Sequence, residues 1–256
     1  MINSNQTNKD LIDYSLRLGD DALVLGHRIS EWASHGPFLE EDIALGNVAL
    51  DYLGRARNFY TYAAELSDNG KTEDDFAYLR SEREFSNYLI NELPKGDFAY
   101  TIVRQLFIDV FNSYYLPLLK LSQDKNLAAI AAKAEKETKY HLRRSSDWTK
   151  RLGDGTEESH SRMNKALNDL WGYTDELFEP DELELRLAAL GIAVDTSQLK
   201  AQWFNDISNI LKEATLPLPE GEWAVRGGRK GYHTEHLSHL LSVMQSVHRA
   251  YPGCEW

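Results

Sequence analysis

The residues best placed to do chemistry are carboxylates that interrupt apolar helical stripes. In one segment Leu16, Asp20, Leu23 and His27 recur at i+4, i+3 and i+4, so Asp20 shares a face with leucines. Ile43, Asn47, Asp51, Gly54 and Asn58 make a second stripe, Ile102, Gln105, Asp109 and Ser113 a third. Ile130, Ala134, Glu137, His141 and Trp148 make the fourth. Each stripe turns one carboxylate inward. Asp20 and Asp51 stand 16 and 15 residues from a turn centred near Gly36, and Asp109 and Glu137 each 14 residues from one near Gln123. Rise along a helix is uniform, so two antiparallel hairpins would gather the four at one height. Four-helix di-iron proteins hold their metals at such a centre.

The ligand set is incomplete. A di-iron site takes a Glu from each of two helices and a Glu-x-x-His from each of the other two. Here the spacings read Asp51-Tyr52-Leu53-Gly54 and Glu137-Thr138-Lys139-Tyr140. Gly54 has no donor, Tyr140 stands where a second histidine belongs, and His141 comes one residue late. Three of the four carboxylates are Asp, whose shorter side chain reaches less far. Buried carboxylates without metal must be protonated or paired. Arg17, Arg55, Arg104 and Lys133 lie within about a turn of them. Asp20, Asp51, Gly54, Asp109, Glu137, Tyr140 and His141 therefore read as a vestigial, metal-free centre neutralised by ion pairs. The alternative is an autonomous di-iron oxygenase built on Asp20, Asp51, Asp109, Glu137 and His141.

The elements that must position these residues are helices. Alternating strand patterns are almost absent, and Gly and Pro punctuate at wide intervals. The periodicity predicts long helices over 11–33, 40–66, 74–91, 98–122 and 126–152, with Pro117 near the end of the fourth. Shorter ones follow at 159–177, 180–190, 196–214 and 234–251. Met1 to Asp10 is polar and is expected to be disordered. Residues 11–256 are expected to form one all-α domain, a long four-helix bundle of the ferritin-like type with additional C-terminal helices.

Composition narrows the functional classes. A formal net charge of −12 argues against nucleic acid and anionic membranes as partners. One cysteine, Cys254, excludes a disulfide framework or a Cys-based metal site. No apolar run is long enough to span a bilayer, and no secretory signal is visible, so the cytoplasm is the expected compartment. Gly221 to Gly231 is a glycine-rich basic loop without Walker spacing. Its Arg226, Arg229 and Lys230 are candidates for docking a partner. His233, His236 and His239 recur at i+3, but Thr234 as a helix N-cap explains part of that pattern.

Longer blocks carry a resemblance. LRLGDDALVLGHRISEW (16–32), ALGNVALDYLGRARNFYTYAAEL (44–66), EREFSNYLI (82–90), RQLFIDVF (104–111), KETKYHLRRSSDWTKRLGDGT (136–156), GGRKGYHTEHL (227–237) and the terminal PGCEW occur in order. Together they resemble the PaaC-type subunits of bacterial phenylacetyl-CoA epoxidases, also called ring 1,2-phenylacetyl-CoA monooxygenases. The resemblance implies a ferritin-like fold and a subunit that has lost its iron ligands. Such a subunit has no cofactor of its own, and pairs with and supports a PaaA-type catalytic subunit that holds the di-iron centre and binds phenylacetyl-CoA. Electrons would come from NADPH through a separate reductase, within aerobic phenylacetate degradation. An obligate interface of this kind exceeds about 2,000 Å² in total. Alone, the same face could support a homodimer.

Overall fold

The computed structural model describes residues 4–221 and 223–254. Helix α1 (Ser4–Ser30) returns antiparallel as α2 (Leu39–Ser67), whose first turn carries Glu40, Glu41 and Asp42 at the positive end of the helix dipole. An irregular segment holding the single turn α3 (Leu89–Glu92) leads to α4 (Phe98–Leu119) and its antiparallel mate α5 (Lys125–Gly153). Asp97 caps α4 by accepting from Tyr100 N, and Asp124 caps α5 by accepting from Asn126 N and Leu127 N. These four long helices form the bundle. α6 (Glu157–Trp171), α7 (Glu182–Ala189), α8 (Lys200–Glu213), α9 (Glu235–Met244) and α10 (Ser246–Ala250) wrap it. Among the described residues there is no strand, and the arrangement is an all-α, ferritin-like bundle.

Three elements differ from expectation. Residues 4–10, expected to be disordered, are the first turns of α1. Asp10 ties them down by accepting two 3.0 Å bonds from Arg186 of α7. Met1 to Asn3 lie outside the described residues. The helix expected over 74–91 is instead a π turn at Asp75–Leu79, a 3₁₀ turn at Glu82–Glu84 and α3. Its backbone donors are used elsewhere: Ser86 N and Tyr88 N bond carboxylates of α1, and Leu89 N bonds Glu176. An N–H spent on a tertiary partner cannot also close a helical ring. The C-terminal helix breaks at Gln245, whose side chain donates to the Ala77 and Arg80 carbonyls at 3.1 and 3.0 Å.

One continuous apolar cluster runs from α1 to α9. The C-terminal helices join it through aromatics. Trp203 of α8 is buried, donates its indole N–H to the Phe107 carbonyl at 2.9 Å and packs against the Phe107 ring at 5.5 Å. Trp171 completes the group, 5.8 Å from each ring. Phe107→Ala should therefore cost about 3–5 kcal/mol, read as a lower denaturation midpoint in urea.

Candidate functional site

α1 sends two consecutive carboxylates in different directions. Asp20, fully buried, turns toward α2 and the irregular segment. It accepts the Tyr60 hydroxyl at 2.6 Å, Ser86 N at 2.9 Å and the Ser86 hydroxyl at 3.3 Å, and the Arg80 guanidinium spans both its oxygens. It therefore has no oxygen left for the bundle centre. Asp21 takes that place instead, lining a central cavity of about 50 Å³ with Tyr52 and Arg55 of α2 and Tyr115 of α4.

The cation facing Asp21 is Arg229, expected from the sequence to lie on a docking surface. Its side chain is buried, donates to Asp21 at 2.8 Å and to the Ser86 carbonyl at 2.6 Å, and lies 3.6 Å over the Tyr88 ring. Tyr88 N and Asn91 complete the Asp21 shell at 2.7 and 3.2 Å. Burial pushes the Asp21 carboxyl up to about 6 although Arg229 pulls it down. The loop is seated by Glu176, which accepts from Gly227 N and Gly228 N at 2.9 and 2.8 Å. Gly228 lies so close to the chain that a Cβ there would stand 2.1 Å from the Asn87 carbonyl oxygen. Arg229 thus plugs the bundle. Arg226 and Lys230 are exposed, with Arg226 held at 2.6 Å by Glu179.

The remaining candidates are dispersed. Asp109 accepts Ser145 Oγ at 2.8 Å and Tyr52 Oη at 3.3 Å, and burial pushes its carboxyl up to about 7. Asp51, its side chain 37% exposed, meets His141 Nε2 at 2.9 Å. The His141 ring stacks on Tyr52 at 5.5 Å, and burial pushes it down to about 4 against the pull of Asp51. Glu137 sits 3.6 Å from Arg55 and 3.8 Å from Lys133, its pKa raised by burial. Gly54 borders open space, and Tyr140 points outward. Of the cations expected to neutralise the centre, Arg17 pairs with Asp181 at 2.7 Å instead. Arg104 bonds the Leu93 and Pro94 carbonyls, and burial lowers its pKa to about 10.

Cross-helix contacts explain the dispersal. A Cβ at Gly26 would touch Tyr52 Cβ at 3.2 Å, so Asp20 is level with residue 58 of α2, about seven residues from Asp51. Asp109 is level with Ser145, eight residues from Glu137. Each pair is thus offset by roughly 10–12 Å along the axis. The hairpins do not fold symmetrically about Gly36 and Gln123. Two irons need carboxylates and imidazoles converging within a few ångströms, and this donor set does not fit them. Among the described residues no three His, Cys, Asp or Glu side chains converge on a metal position.

Two further buried pairs escaped the sequence reading. Arg144 of α5 pairs with Glu41 of α2. His233 places Nδ1 2.7 Å from Glu92 and Nε2 2.9 Å from the Phe85 carbonyl. Both partners only accept, so the ring donates at both nitrogens as an imidazolium. Burial disfavours that charge, but Glu92 outweighs it and raises the His233 pKa.

Arg80→Met leaves Asp20 buried and uncompensated, and should cost about 3–5 kcal/mol in urea denaturation. Asp109 gives a pH signature. Its folded pKa is raised, so between about pH 4 and 7 the folded chain holds a proton that the unfolded chain has released. Stability from this group falls as pH rises through that window. Asp109→Asn should gain on the wild type progressively from pH 4.5 to 8; a constant difference would mean that Asp109 is ionised throughout.

Comparison with known proteins agrees with this architecture. The chain matches the family model described as phenylacetic acid catabolic protein over residues 2–256. It is similar to the C subunit of the 1,2-phenylacetyl-CoA epoxidase of Escherichia coli (strain K12). The two are 50% identical over 246 residues, which cover 96% of this chain and 99% of that one. The chain belongs to the phenylacetic acid catabolic protein family.

Proposed function

We propose that this chain is a non-catalytic structural subunit of a phenylacetyl-CoA 1,2-epoxidase, working in the cytoplasm beside a PaaA-type subunit that holds the di-iron centre. The observation that carries the reading is the fate of the four carboxylates that the sequence aligns toward the bundle centre. Asp20 is committed to Arg80, Asp51 to His141, Asp109 to Tyr52 and Ser145, and Glu137 to Arg55. They stand at different heights, and Arg229 occupies the centre beside Asp21. Such a bundle, its interior charges paired across elements, supplies a body against which a companion can be held. The E. coli relative is named as one subunit of an epoxidase, which supports a place in a multisubunit enzyme. Among the described residues no helix is long and apolar enough to cross a membrane. Electrons from NADPH would reach the companion's iron through a separate reductase, with no step in this chain.

The autonomous di-iron oxygenase would need Asp20, Asp51, Asp109, Glu137 and His141 around one metal pair, and the offset of roughly 10 Å disfavours it. Elemental analysis after anaerobic loading with ferrous iron separates the two. The structural reading expects near-zero iron per chain. About two irons, lost in Asp51→Ala, would establish that this chain binds its own. In the assembled enzyme, Asp51→Asn or Glu137→Gln should alter stability more than turnover.

A further inference from the structure

Residues 227–234 form a strap that crosses the irregular segment 80–92 on its way into α9. Its path is tight at two glycines. A Cβ at Gly231, whose φ is +70°, would stand 2.6 Å from the Arg83 carbonyl oxygen, and Gly228 lies closer still to that of Asn87. At the far end of the strap His233 is clamped from both sides. Its Nδ1 meets Glu92 of α3 at 2.7 Å and its Nε2 the Phe85 carbonyl at 2.9 Å, and neither the imidazole nor the Glu92 carboxyl is exposed. Glu92 also accepts Asn87 Nδ2 at 2.9 Å and the backbone N–H of Thr234, which opens α9. A carboxylate from another element thus sits at the positive end of that helix.

Two acceptors on one ring set a condition. A neutral imidazole carries a single N–H, so it can serve Glu92 or Phe85 but not both, and its bare nitrogen then faces an oxygen. The surrounding charges do not relieve this. Glu82 adds negative potential from the 3₁₀ turn. Arg28 of α1 reaches the Glu92 and His236 carbonyls at 2.9 and 2.7 Å, and Glu31 pairs with its charge. Arg83 lies over the Tyr232 ring at 5.4 Å, Glu235 and His236 begin α9, and Tyr173 beyond α6 feels the Glu92 charge.

We propose that His233 makes the seating of this strap depend on a proton. The imidazolium locks residues 227–234 onto 80–92, and its deprotonation loosens them and, with them, the hold of Arg229 on the bundle centre. Gly227, Gly228 and Arg229 keep their own bonds to Glu176, Asp21 and Ser86, so loosening starts at the His233 end. Histidine is the side chain whose charge changes nearest neutral pH. Burial disfavours the charged ring, but Glu92 outweighs it, so the seated ring keeps its proton to higher pH than a free one. Its contribution is therefore complete below about pH 6.5 and is lost as pH rises through the higher value of the seated ring. Each pKa unit by which seating raises the ring corresponds, over the whole titration, to a roughly tenfold rise in strap opening. The device belongs to this chain alone and does not depend on the subunit role.

The experiment follows the full-length chain from about pH 6 to 9 with two readouts. Nuclear magnetic resonance of the His233 ring nitrogens gives its titration. Amide hydrogen exchange of 227–234, corrected for the intrinsic pH dependence of exchange, gives strap opening. The expected result is a ring that titrates above 6.5 and strap protection that falls by the matching factor, with the amides of α4 unchanged. His233→Gln, uncharged throughout, should leave strap protection flat with pH, and Glu92→Gln should bring the titration of the ring down. Should either variant misfold, the two wild-type curves still decide. A ring titrating at or below 6.5, strap protection that ignores the titration, or an equal fall in His233→Gln or in α4 would each overturn the proposal.

Discussion

A charge that enters the interior of a helical bundle has to be neutralised where it lies, because a bare carboxylate in a low dielectric costs several kcal/mol. Most of this molecule's irregular architecture follows from that requirement. Asp20 meets Arg80, Asp21 meets Arg229, Glu41 meets Arg144 and Glu92 meets His233. In every case the two partners belong to different elements. Apolar side chains of similar volume would stabilise a core as well or better, but a pair once buried is expensive to break. Such pairs act as pins. They leave the path from α2 to α4 little choice, since the backbone of 80–92 must bring Arg80, Ser86, Tyr88 and Glu92 to α1 and to the C-terminal loop.

The four bundle helices were legible because each carries a long apolar stripe of helical period, bounded by turn residues. α2 and α5 fall within a residue or so of expectation. Segment 74–91 departs from the helix that its periodicity predicts for a definite reason. Phe76, Phe85, Tyr88 and Ile90 supply the apolar content of a helix, but they are buried by neighbours distant in sequence while their backbone donors serve Asp20, Asp21 and Glu176. Nothing local announces a tertiary hydrogen bond.

The site was legible in residue type and not in register. Counting outward from a turn assumes that both arms of a hairpin start level, and an error of a few residues in where they cross becomes about 10 Å. Asp20 and Asp21 differ by one position, and periodicity could not say which faced the centre. The i+3 spacing of His141 and Arg144 on one face of α5 could have pointed to Arg144, which indeed faces α2. Arg80 and Arg229 had no such signal, since each comes from an irregular stretch far along the chain. Only the negative half of the site reading, the absent imidazoles at Gly54 and Tyr140, needed no geometry.

Arg229 has a consequence in time as well as in space. It sits 208 residues after the carboxylate it neutralises, behind all four bundle helices. On a growing chain, domains assemble from the N-terminal side as they emerge at about 5–20 residues per second. During that interval α1, α2, α4 and α5 can associate, but Asp21 faces an open cavity and Glu176 awaits Gly227 and Gly228. Until the loop arrives, the Asp21 carboxylate lacks the guanidinium that pairs with it in the folded chain. Arrival of the loop that carries Arg229 closes the cavity, so a late segment of the chain completes the packing of an early one.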